Sequence, residues 1–154
     1  MTHQLADSSC APPREHRPTQ GGGAIINVSS GNARQPSPIN VDYGAAKAGM
    51  NNLTKALLEE FGPQGIRVNT VSPGPTRTPW WTEEGGVADM IAVQAGTDRE
   101  NVLSTIVPEP MGLTTGRMAD AQEIADVVAL LVSPRSANTT GSEVVVDSGF
   151  LKVV

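Results

Sequence analysis

At 154 residues, with 16 acidic against 11 basic side chains and a net charge of −5, the chain is long enough for one ordinary domain. It is too acidic to present the clustered basic face of a nucleic-acid binder. No apolar run reaches the length needed to span a bilayer, the N-terminus lacks the apolar stretch of a signal peptide, and a single cysteine (Cys10) has no partner for an internal disulfide, which fits a reducing cytoplasm.

In chain order, Met1 to Gln20 holds Pro12, Pro13 and Pro18, mixed charge and little apolar content, and is expected to be a disordered tail. His3, Cys10 and His16 match no standard metal-ligand spacing, so no metal site is expected. Both histidines lie in this tail, which excludes Ser-His-Asp hydrolysis from the folded part, and no Gly-x-Ser-x-Gly elbow occurs. Gly21-Gly22-Gly23 reads as a flexible lead-in. Ala24–Val28 is a continuous apolar run, expected to be a strand buried on both faces of a parallel sheet, and it ends in Ser29-Ser30. A loop rich in Pro and Asn spans 31–42. The spacing of Met50, Leu53, Leu57 and Phe61 predicts a helix from Tyr43 to Phe61, stopped by Gly62-Pro63.

Ile66–Val71 is a second strand, running into the Pro73-Gly74 turn. Residues 75–118 look irregular, with two tryptophans. Trp80 and Trp81 either line an apolar pocket or anchor the loop. Asp120 and Glu123 form a capping-box pattern ahead of a helix whose buried stripe is Ile124, Val127, Val128 and Leu131, with Pro134 just beyond. Glu143–Asp147 is a third strand near the C-terminus, and there is no internal repeat.

Tyr43 and Lys47, four residues apart on a helix, project from one face, so the ammonium lies beside the phenol. A nearby positive charge favours the phenolate and brings the tyrosine toward the range useful for proton transfer. Ser30, thirteen residues upstream, offers a hydroxyl to hold a substrate oxygen while its charge changes. Each piece has an ordinary reading: Tyr-x-x-x-Lys is usually plain helix surface, and Ser-Ser after a strand is usually a turn or a cap. The joint pattern carries the weight: a strand ending in Ser30, the Tyr43-Lys47 pair, a strand ending in Pro73-Gly74, and a late strand, in this order.

That order resembles the C-terminal part of a short-chain dehydrogenase/reductase, from about Gly21 to Val154. The resemblance implies a partial doubly wound (Rossmann-like) parallel α/β sheet of about three strands with flanking helices, forming a truncated NAD(P)-binding catalytic domain over 21–154. It assigns substrate stabilisation to Ser30, the general acid/base role to Tyr43, and ribose binding and tuning of the tyrosine to Lys47. It lays Pro73, Gly74, Thr76 and Thr78 against the nicotinamide of NAD or NADP. The substrate is then a small alcohol or carbonyl compound, and 75–118 becomes the substrate lid. The 43–61 helix and the C-terminal strand become candidate surfaces for a homo- or hetero-oligomer. The family's closing Asp-Gly-Gly appears here as Asp147-Ser148-Gly149.

The family's opening Thr-Gly-x-x-x-Gly-x-Gly turn, its Asn-Asn-Ala-Gly strand and the helix bearing a further catalytic Asn have no counterpart. Without its usual neighbour, the strand carrying Ser30 is expected to become an exposed apolar edge. Two other readings stay open: a non-catalytic fragment that pairs with a full-length relative, and an inert one. Binding energy from the remote part of a cofactor positions its reactive ring, so the isolated chain is expected to bind NAD(P) weakly. Fluorescence titration with NADH and NADPH checks this, and tight saturable binding overturns it.

Overall fold

The structure, a computed structural model, describes residues 22–152. The expected disordered tail falls outside them. Three strands, β1 (Gly23–Val28), β2 (Ile66–Pro73) and β5 (Glu143–Val146), form one sheet in the order β1-β2-β5. Both pairings are parallel, with Val28 opposite Val71 and Thr70 opposite Glu143. This is the three-stranded α/β arrangement expected from the sequence. Between β2 and β5 lie β3 (Thr76–Arg77), α2 (Pro79–Thr82), α3 (Val87–Ala95), α4 (Arg99–Asn101), β4 (Ala119–Asp120) and α5 (Ala121–Val132).

Side chains alternate across a strand, and β2 shows which helix covers which face. The Thr70 hydroxyl lies 2.7 Å from that of Thr54 on α1 (Val41–Phe61). Arg67, of opposite parity, reaches the end of α5. The two long helices therefore cover opposite faces. The helix predicted from Tyr43 begins two residues earlier, placing Tyr43 in its first turn.

The docking face of α1 differs from the apolar stripe read in the sequence. Leu53 is 49% exposed, whereas Gly44 and Thr54 are the buried residues of the helix. The Asn27 amide donates to Thr54 Oγ1 at 2.8 Å, so polar side chains seat this helix on β1 and β2. At its first turn the helix also comes close to the turn after β1: a Cβ on Gly44 would stand 3.1 Å from the Asn32 carbonyl oxygen. The helix ends at Phe61, and a 3-10 turn follows that closes at Gly65 in the left-handed region, where glycine is unstrained.

On the other face, α5 buries Leu131 and half-buries Ile124, Val127 and Val128, as its spacing predicts. Glu123 accepts a hydrogen bond from the Asp120 amide at 2.8 Å and pairs with Arg117. The Arg117 hydrogen bond holds the Glu123 carboxyl at a pKa of about 2. The C-terminal carbonyls of α5 find a cation from another element. Arg67 donates to Leu131 O at 2.6 Å and to Ser133 O at 3.3 Å, supplying the positive charge that a helix C-terminus favours.

Two expectations need correction. The first is that β1 would be buried on both faces. Among the described residues it is an edge strand paired only with β2; its residues are half-buried at most, and Val28 is 47% exposed. A strand at the margin has fewer neighbours to cover it. The exposed apolar edge inferred from the absent neighbour is what the structure shows.

The second correction concerns 75–118, read as largely irregular. It carries three helices and a π-turn (Val102–Ile106), and it contains a core of its own. Ala88, Ala92, Val102, Leu103, Val107, Leu113 and Met118 are buried together, with Trp81, Ile91, Ile106 and Phe150 packed against them. The helical spacing of Ala88, Ile91 and Ala92, and of Val102, Leu103, Ile106 and Val107, was present in the sequence beneath the glycines and prolines.

Replacing Arg67 by Met removes the shared cation and leaves its carbonyl partners to water or to nothing. The expected loss is about 2–3 kcal/mol of unfolding free energy, measured by urea denaturation against the wild-type chain.

Candidate active site

The carboxyl ends of β1 and β2 lie level, and the candidate groups collect there. Ser30 follows β1 in extended conformation (φ −163°, ψ 155°) and caps a 3-10 turn over Gly31–Ala33. Its Oγ accepts from the Asn32 amide at 3.2 Å. The Ser30 hydroxyl proton is thereby left to donate elsewhere. The next turn packs on β2: a Cβ on Gly31 would stand 3.4 Å from the Phe150 ring and 3.8 Å from Pro73 O.

Two hydrogen bonds join the end of β1 to α1. The Ser29 hydroxyl donates to the Lys47 carbonyl at 3.0 Å, and Lys47 Nζ donates to the Val28 carbonyl at 2.9 Å. The same ammonium lies 5.6 Å from the centroid of the Tyr43 ring, within cation–π range. Tyr43 is 44% exposed. The structure thus gathers Tyr43 and Lys47 on one helix face beside the end of β1, with Ser30 two residues beyond the carbonyl that Lys47 holds.

The Pro73–Thr78 stretch borders this arrangement. The Gly74 amide bonds to Val146 O at 2.9 Å, joining the ends of β2 and β5. A Cβ at Gly74 would come within 2.6 Å of Asp147 Cα, so only glycine fits without backbone movement. Thr76 Oγ1 donates to Gly74 O at 3.0 Å. Thr76 and Arg77 form the short β3, paired with β4 at Ala119 and Asp120. Thr78 starts α2, and its carbonyl receives the Trp81 amide. From β3 the Arg77 guanidinium reaches both carboxylate oxygens of Glu100 on α4, at 3.3 and 3.1 Å.

Some contributors had little or no signal in the sequence. Arg34 donates to Glu143 at 2.9 Å across 109 positions of sequence, and Ser72 donates to the same carboxylate at 2.6 Å. Burial pushes the Glu143 carboxyl up, but the hydrogen bonds from Ser72 and Arg34 outweigh it and leave it below the ordinary range. This group ties the loop after Ser30 to β5. Phe150 packs on the buried cluster of 88–118 and also lies against Gly31, linking that cluster to the serine turn. The two tryptophans separate: Trp81 packs on the lid core, while Trp80 is 61% exposed and meets Trp81 edge-on at 4.9 Å. Ser148, where the family pattern has glycine, sits at φ 58°. That left-handed conformation costs a residue bearing a Cβ about 1–2 kcal/mol.

A cleft of about 590 Å³ lies beside β5, walled by Arg34, Glu143, Val145, Asp147, Leu151 and Lys152. Ser30, Tyr43 and Lys47 do not line it; Ser30 and Lys47 are half-buried and Tyr43 is partly exposed. Among the described residues, no group of three or more His, Cys, Asp or Glu side chains could hold a metal ion, and no helix is long and apolar enough to cross a membrane.

A sequence profile of the family described as enoyl-(acyl carrier protein) reductase matches residues 10–151. The chain belongs to the short-chain dehydrogenase/reductase family. This short-chain dehydrogenase/reductase is 39% identical over 129 residues to the A-factor type gamma-butyrolactone 1'-reductase (1S-forming) of Streptomyces virginiae, covering 84% of this chain and 45% of that protein. It is 34% identical over 129 residues to L-xylulose reductase of Bos taurus, covering 84% and 47%. The crystal structure of L-sorbose reductase from Gluconobacter frateurii, complexed with NADPH and L-sorbose, superimposes with a TM-score of 0.77 at 33% identity. That match covers 88% of this chain and 49% of the reductase. The chain spans about half the length of the curated relatives it matches, and it corresponds to their C-terminal part.

The close approach at Gly74 generates a direct test. Gly74→Ala is expected to lower the melting temperature markedly, because the Asp147 backbone must move away from β2. Gly49→Ala, where a Cβ meets nothing within 4 Å, is the comparison; it adds helix propensity and should be neutral or stabilising.

Proposed function

We propose that the chain carries the catalytic half of an NAD(P)-dependent oxidoreductase that interconverts a small alcohol and its carbonyl compound. The observation that carries this reading is the Tyr43–Lys47 pair, with the ammonium over the ring face, at the end of the strand that leads into Ser30. The matched relatives bear the names of reductases and dehydrogenases, and a solved neighbour binds NADPH together with a sugar.

In this reading Ser30 donates its remaining hydroxyl proton to the substrate oxygen. Tyr43 gives a proton to that oxygen during reduction and takes it back during oxidation. Lys47 places its positive charge beside the phenol ring. Bound NAD(P) supplies the hydride chemistry. The donor set fits the nicotinamide-ribose end of such a cofactor: Lys47 offers N–H donors, while Tyr43, Thr76 and Thr78 offer hydroxyls. The sequence holds no glycine-rich turn to cradle the pyrophosphate, which is why binding by the 154 residues alone is expected to be weak. The alternative of an inert or purely pairing fragment gains no support from relatives of this kind.

The test is turnover of NADPH or NADH with a panel of small ketones and aldehydes. Tyr43→Phe keeps the ring and removes the proton, so it should depress kcat by about 10²-fold or more. The cofactor affinity of this variant should change little, while Lys47→Ala should weaken it. Unchanged turnover in Tyr43→Phe removes the tyrosine from the reaction.

A further inference from the structure

Glu143 opens β5 ahead of three valines, and its side chain is only 16% exposed. A carboxylate in such a place is costly unless it is paired. Its two oxygens are divided between two partners. Oε1 accepts from Ser72 at 2.6 Å, and Oε2 accepts from Arg34 Nε at 2.9 Å, with Arg34 Nη2 2.8 Å from the same oxygen. Ser72 belongs to β2, one residue before Pro73. Arg34 closes the 3-10 turn of Gly31–Ala33, its amide bonding to Gly31 O at 3.0 Å, and Ser30 caps the other end of that turn.

A turn of three residues is too short to hold itself. This one is gripped from three sides. Gly31 lies against Phe150 and Pro73 O, and the Asn32 carbonyl meets the first turn of α1 at Gly44, the residue after Tyr43. These are packing contacts, and they limit how closely the turn can approach. The third grip, Arg34 on Glu143, is directional and charged, so it holds the turn in place. An ion pair whose arginine is 37% exposed adds little to stability; what it fixes is position.

We propose that the Arg34–Glu143 pair, braced by Ser72, is a positioning device for the Ser30 hydroxyl. It draws the turn toward β5 and so sets where Ser30 stands relative to Tyr43. Neither Arg34 nor Glu143 is a catalytic residue; both act through the turn. The effect on reaction rate rests on the function proposed above, whereas the hold on the turn does not.

The experiment compares variants of the 154-residue chain by residue-resolved amide exchange and by turnover. Arg34→Met keeps the stem and removes the donors. The amides of Asn32 and Gln35, bonded to Ser30 Oγ and Gly31 O, are expected to exchange about tenfold faster. The Ser29 amide, bonded to Val71 O, should not change. Glu143→Gln should loosen the same two amides, and the double variant should do no more than the stronger single one. Arg34→Lys restores a cation and should recover part of the protection. With NADPH and a carbonyl substrate, Arg34→Met should lower kcat by about tenfold and leave the KM for cofactor unchanged. Arg67→Met, at the amino ends of the strands, loses stability and should not share that loss of kcat.

Unchanged exchange at Asn32 and Gln35 in Arg34→Met overturns the proposal, and so do additive effects in the double variant. An equal loss of kcat in Arg67→Met reduces the pair to a stabilising contact. A loosened turn with unchanged kcat in an active chain also overturns the positioning role. A wild-type chain without turnover counts against the proposed function, and the exchange at Asn32 and Gln35 then decides the hold on the turn by itself.

Discussion

Two hydrogen bonds cross between the end of β1 and the second turn of α1: Ser29 to the Lys47 carbonyl and the Lys47 ammonium to the Val28 carbonyl. They fix helix against strand both along its length and in rotation. The helix face that carries Tyr43 then has one place to stand, and Ser30 follows one residue after the anchor. Beneath them the Asn27–Thr54–Thr70 contacts seat the same helix on the sheet through polar groups. Hydrogen bonds have preferred directions where apolar contacts have none. A helix that makes such bonds cannot slide without losing partners.

The order of strands and helices was legible because each main element carries its own signal. The apolar runs at 24–28 and 143–146 and the capping residues Asp120 and Glu123 are local features, and they appear where the sequence puts them. That Tyr43 and Lys47 share one face was legible in their spacing, since residues four apart on a helix project together. The apolar stripe of α1 misled because Leu53 faces outward while Thr54 is buried; a tertiary hydrogen-bond network overrode hydrophobic periodicity. The lid was under-read because its helices are short and set among glycines and prolines, which hid the spacing of its buried residues. Arg34–Glu143 had no local signal at all, since 109 positions separate the partners.

Tyr43 and Lys47 meet at the end of β1, away from the cleft beside β5. Tyr43 is nearly half exposed, and the cleft beside β5 does not include it. Electrostatic help of the kind Lys47 offers weakens in high dielectric. The contact of the Lys47 ammonium with the Tyr43 ring is accordingly worth less beside water than it would be in a dry interior.

The lid core has a consequence of another sort. Residues 79–118 share a buried centre, and they are tied to the rest of the fold by Phe150, by the Arg77–Glu100 pair, and by hydrogen bonds from Thr115 N to Ser148 O and from Lys152 to Gly112 O. A unit that carries its own buried centre can change its outward side chains without disturbing the platform beneath it. Its outward side chains can then vary while Tyr43 and Lys47 stay put, and such a segment is a natural cassette for grafting between members of the family.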